Sequence, residues 1–127
     1  MHSKSQVSFE FFIFVGLAFL MAIAFELASL DQLNDFRLEN ENAAVKDLAL
    51  KLQKEVLIAA YVEDGYSRTF EIPNDIYSLD FSLDVRNSTI AVQSKNSFYI
   101  VSIPQSVGNF SKGTNTIKKS GNIVYIN

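Results

Sequence analysis

From Phe11 to Phe25 the chain reads FFIFVGLAFLMAIAF, with no polar side chain, and Glu10 and Glu26 bound the run. Extended through Leu27, Ala28 and Leu30 it covers about 20 residues. As a helix that is roughly 30 Å, one bilayer core. Phe9, Phe11, Phe12, Phe14, Phe19 and Phe25 all fall in or beside it. The overall hydrophobic content of 48% therefore hides a very apolar start joined to a more polar remainder. The uninterrupted part is short for a span and also lies within the range of a secretory signal's apolar core.

Two simple readings fit such a segment. A cleaved secretory signal would have Lys4 as the only strong positive charge of its leading region. Cleavage after Ala28, however, puts Glu26 at the minus-three position, and cleavage after Ser29 puts Leu27 there, where a small residue is wanted. A plain signal anchor would keep Lys4 in the cytoplasm and export the rest of the chain.

Neither reading explains Gln6-Val7-Ser8-Phe9-Glu10, which sits directly before the apolar run and behind Lys4-Ser5. An acid beside a membrane segment costs up to about 3 kcal/mol at the centre and less near an edge, and an anchor has no use for it. The arrangement resembles the class III signal of archaeal type IV pilin-like proteins, in which a short basic leader precedes Gln-x-Ser-x-Glu and then the helix. The resemblance is strong from Lys4 to about Phe25 and looser beyond. It implies a cut by a prepilin peptidase between Ser5 and Gln6, on the cytoplasmic side, that removes residues 1–5 and leaves the helix on the mature chain. Ser5 stands where the family usually has Gly or another very small residue.

The resemblance also implies a role for Glu10. Cleavage frees an α-amine on Gln6, whose ordinary pKa is about 7.7–8.0. In an apolar filament core the carboxylate of Glu10 would pair with that amine on a neighbouring subunit, and a buried charge stripped of its partner is expensive. The plainer reading is that Glu10 favours the positive end of the helix dipole. The family's members are structural subunits, major or minor, of filaments used for adhesion or motility. The implied partners are other copies of the chain or other pilins, the peptidase, and membrane lipid before assembly. No cofactor is implied.

The helical pattern continues past Leu30. No Pro or Gly occurs from Leu17 to Asp64, and Leu30, Leu33, Ala44, Val45, Leu48, Leu52, Val56 and Ala59 recur at helical spacing. Asp47 and Lys51 form a favourable (i, i+4) pair. A stop near Tyr61–Asp64, with Gly65 beyond it, gives one helix over 6–64 with a membrane segment at about 9–30. Its length, about 80 Å, exceeds what a small head can cover, so its first half must meet lipid or other copies. Ala18 with Ala22, and Ala24 with Ala28, with Gly16 nearby, have the spacing that lets helices approach closely in apolar surroundings; Ala is also simply a good helix former. Asp31, Asp35, Glu39 and Glu41 precede Lys46, Lys51 and Lys54. Staggered copies would match acid to base, but a solvated charged face has the same pattern. Glu26 would fall near the outer membrane boundary.

Over 65–127 the period changes to two. Arg68–Ile72 reads as a strand ended by Pro73. Tyr77, Leu79, Phe81, Leu83 and Val85 alternate with polar residues, the pattern of a half-buried strand. Thr89–Ser94 and Ser97–Ile103 succeed it across turns at Asn87-Ser88 and Lys95-Asn96, completing an antiparallel meander. Gln105–Asn115 reads as a surface loop. Thr116–Lys118 and Asn122–Ile126 form a last hairpin. The expected fold is α+β, a long helix whose second half packs on a small antiparallel head, arranged as one curved sheet of five or six strands.

Sequons occur at Asn87-Ser88-Thr89 and Asn109-Phe110-Ser111, both at expected turns. An Asn- and Ser-rich chain also produces such matches by chance. The net charge of -3 offers no basic patch for nucleic acid. With no Cys and with His2 as the sole His, thiolate sites and a His-based catalytic group are absent. Asp80 and Asp84 read as solvent-face acids. The expectation is a filament subunit; the competing one is a monomeric, membrane-anchored ectodomain that binds an envelope partner.

Overall fold

A computed structural model of the chain describes the backbone from residue 3 onward and the side chains from Ser8 onward. One helix, α1 (Ser3–Tyr61), precedes seven strands: β1 (Ser67–Ile72), β2 (Phe81–Arg86), β3 (Thr89–Ser94), β4 (Phe98–Ser102), β5 (Ser106–Gly108), β6 (Gly113–Ser120) and β7 (Ile123–Ile126). Two compact units meet between Arg37 and Leu38, inside α1. The second part of the helix therefore belongs to the same unit as the strands.

In that second unit α1 buries Val45, Leu48, Ala49, Leu52, Val56 and Ala59, an apolar stripe at i, i+4, i+7 spacing. These residues share one core with Ile90, Val92, Val101, Ile117, Val124 and Ile126 from the strands. The helix stops at Tyr61 for two reasons. Gly65 takes φ 92°, which Gly alone adopts without strain. The Lys119 ammonium of β6 donates to the last-turn carbonyl of Ala60 at 2.8 Å and to that of Val62 at 2.6 Å. A positive charge there also suits the helix dipole.

The strands form two sheets, ordered β1-β6-β7-β5 and β2-β3-β4, not the single curved sheet expected. The division arises between β1 and β2. Tyr77 and Ser78 take φ 51° and 61°, and Ile76 bridges back to Leu79, so the chain reverses where the alternating pattern suggested a continuous strand. β2 accordingly starts at Phe81, and β1 pairs with β6, Ser67 facing Lys118 and Ile72 facing Gly113. The meander β2-β3-β4 and the hairpin β6-β7 form as expected.

The stretch read as a loop contributes a strand. β5 runs parallel to β7, with Val107 opposite Tyr125. Gly108 makes this possible: at φ 107° an added Cβ would lie 1.9 Å from the Ile126 carbonyl oxygen. Only a residue without a side chain allows that approach. At the same end Asn115 is fully buried. Its amide donates to the carbonyls of Ser111 and Gly113, and its Oδ1 accepts from Ser111 N and from the Asn127 amide.

Candidate assembly segment

The first unit consists of α1 up to Arg37. Phe11 to Phe25 offers apolar side chains on every face. Phe11, Phe12, Phe14, Phe19, Leu20 and Phe25 are 65–75% exposed. Burying such a side chain stabilises by about 1.5–3 kcal/mol, so water is the wrong medium for this surface. The helix is long and apolar enough to cross a membrane. Ser29 suits such a segment because its hydroxyl donates to the Phe25 carbonyl at 2.8 Å and offers no unpaired donor. Exposed apolar residues continue to Leu30, Leu33 and Phe36, past the expected span. Phe36 escaped the sequence reading because acids and amides surround it.

Ser8 and Glu10 are exposed on the first described turns of α1, and no ion pair among the described residues involves Glu10 or Glu26. The side chains of Lys4, Ser5 and Gln6, assigned to the peptidase site by the resemblance, lie outside the described residues. Gly16, Ala18, Ala22, Ala24 and Ala28 are all exposed, and a Cβ added at Gly16 would meet nothing. The two alanine pairs lie about 120° apart around the helix at 100° per residue, so they form two shallow grooves and not one.

In the second unit Glu41 departs from the expected charged face. It is 3% exposed. Its carboxylate accepts from the Ser94 hydroxyl and, at 3.2 Å each, from the backbone N–H and side-chain amide of Asn96. The Ser94 bond leads in holding this carboxyl below the usual glutamate range; burial opposes it, and the Asn96 bonds and the Lys95 charge assist. Glu41 thus pins the β3–β4 turn to the helix. Glu55, 8% exposed, faces Arg68 of β1 at 3.4 Å. Asp80 lies ahead of β2 and pairs with Lys112, whose hydrogen bond and charge hold the Asp80 carboxyl below its ordinary range. Asp84 pairs with Arg86 at 2.9 Å.

The sequons lie where turns were expected. Asn87 and Ser88 form the two-residue turn between β2 and β3, and Asn109 comes directly after β5. A shallow depression on the four-stranded sheet is lined by Thr116, Lys118, Tyr125 and Asn127. Among the described residues no group of three His, Asp or Glu side chains is placed to hold a metal ion.

Fold and segment together define an α+β chain with a membrane-competent N-terminal helix and a β-rich unit that is folded around the helix's C-terminal part. No protein-family profile, curated protein or solved structure matches the chain.

Proposed function

We propose that this chain is a structural subunit, a major or minor pilin, of an archaeal type IV pilus-like surface filament for adhesion or motility. A prepilin peptidase removes residues 1–5, and the apolar helix holds the subunit in the membrane before assembly. The same helix then packs against other copies in the filament, with Glu10 meeting the Gln6 amine of a neighbour. The observation that carries this reading is Gln6-x-Ser8-x-Glu10 at the head of a helix whose apolar residues are exposed on every face. The β-rich unit forms the filament's outer surface, outside the cell.

Two measurements test it. N-terminal sequencing of the membrane form should begin at Gln6; a start at Met1, or one near Leu30, contradicts the proposal. Glu10→Ala should insert normally but be lost from sheared filaments. A monomeric anchored ectodomain would begin at Met1 and be indifferent to Glu10→Ala.

A further inference from the structure

The two sequons are chemically alike but structurally different. To accept a glycan, the Asn amide must leave the surface and enter an enzyme's cleft together with the hydroxyl two residues on. A triplet that carries part of the core cannot do so without local unfolding.

Asn109-Phe110-Ser111 is such a triplet. Phe110 is 4% exposed and packs against Phe70, the rings tilted at 59° with a centroid separation of 6.0 Å. The Asn109 carboxamide oxygen accepts from Phe110 N at 2.9 Å, and its carbonyl accepts from the Asn127 amide at 3.0 Å. Ser111 is tied at both its N–H and its carbonyl to the buried Asn115. Withdrawing Asn109 would extract an aromatic side chain and dismantle this amide network.

Asn87-Ser88-Thr89 carries no buried side chain. Asn87 and Ser88, at φ 49° and 58°, are the exposed tip of a two-residue hairpin closed by the Arg86–Thr89 pair. Among the described residues no hydrogen bond holds the Asn87 side-chain amide. The Thr89 hydroxyl donates to the Arg86 carbonyl at 2.6 Å, which keeps it at the tip beside the acceptor. Thr89 opens β3 opposite Ser102 of β4, and Ile103 N–H donates to the Ser88 carbonyl at 2.9 Å, so the triplet is tied to the neighbouring chain through backbone pairing and not through a buried side chain.

We infer that Asn87, and not Asn109, is the acceptor of an N-linked glycan from a lipid-linked oligosaccharide. Asn87 Nδ2 forms a bond to the anomeric carbon and gives up a proton. The bond from that carbon to the donor's phosphate oxygen breaks, and the lipid phosphate leaves with the electron pair. No electron transfer is involved. The inference rests on one part of the proposed function, that the β-rich unit is exported, and not on filament assembly.

The test uses full-length protein purified from membranes of the cell that makes it. Trypsin cuts after Arg86, Lys95 and Lys112, placing the sequons on separate peptides. Mass spectrometry should find a glycan increment on the Asn87–Lys95 peptide and none on the Asn96–Lys112 peptide. The increment should vanish in Asn87→Gln and in Thr89→Ala and persist in Asn109→Gln. A glycan on Asn109, or a bare Asn87 on a unit that external protease reaches in intact cells, overturns the inference and leaves the filament reading standing. A bare Asn87 on a unit shielded from that protease overturns both.

Discussion

Glu41 shows how one residue changes meaning between sequence and structure. In the sequence it is the last of four acids before a run of lysines, indistinguishable from its neighbours. Its partners lie on a turn more than fifty positions away, so no local pattern could have singled it out. A hydrogen bond to a charged group contributes about 1.5–3 kcal/mol net of the water bonds it replaces, and burying the whole carboxylate opposes the sum. Glu41→Ala should therefore lower unfolding stability by about 2–3 kcal/mol, measured by urea denaturation in detergent micelles. The pH dependence has a definite sign. Because the folded carboxyl titrates below its ordinary value of about 4.3, its contribution is complete above that value. It is lost as the pH falls through the lowered folded pKa. Wild type should lose stability over that acid interval relative to Glu41→Gln; parallel curves would show that the carboxylate's charge contributes nothing. Gly108 was equally illegible, since its need for a bare backbone comes from a parallel neighbour. Gly108→Ala should destabilise by well over about 1 kcal/mol, through both the positive φ and the collision with Ile126, on the same denaturation curve.

At the scale of elements, regular periodicity was legible and pairing was not. The helix declared itself because Leu48, Leu52, Val56 and Ala59 repeat at its own period, and all four are buried. The β2-β3-β4 meander was legible because short turns force antiparallel neighbours. Membership of β1 and β6 in one sheet depends on contacts distant in sequence, and β5 is too short to show a period. The start of β2 was misread because alternation cannot reveal that Tyr77 and Ser78 adopt positive φ. The joint between helix and sheet offers two element-level predictions. Leu52, fully buried in the shared core, should lose about 2–5 kcal/mol on change to Ala. Lys119→Met keeps the aliphatic stem but leaves the carbonyls of Ala60 and Val62 without their donor. It should cost about 1 kcal/mol and speed amide exchange in the last turn of α1 above the rate in the rest of the helix. Unchanged exchange there would mean that Gly65 alone stops the helix.

For the whole molecule, the division between Arg37 and Leu38 separates two kinds of stability. Residues 38–127 hold the shared apolar core, the Glu41 clamp and the Asn115 network, and a unit of this size can bury enough surface to fold alone. The described residues up to Arg37 leave their large apolar side chains exposed and bury no core of their own. A fragment 38–127 should therefore be soluble without detergent, unfold in one cooperative transition and sediment as a monomer. A fragment beginning at Ala44 keeps the buried helix residues from Val45 onward but loses Glu41, and should be less stable by about the same 2–3 kcal/mol as Glu41→Ala. The comparison bears on function because the proposed filament places association in the apolar helix. Should 38–127 assemble by itself at micromolar concentration, the β-rich unit would carry its own self-contact and the helix would be reduced to an anchor. A monomeric fragment beside an oligomeric full-length chain locates assembly in the segment headed by Glu10.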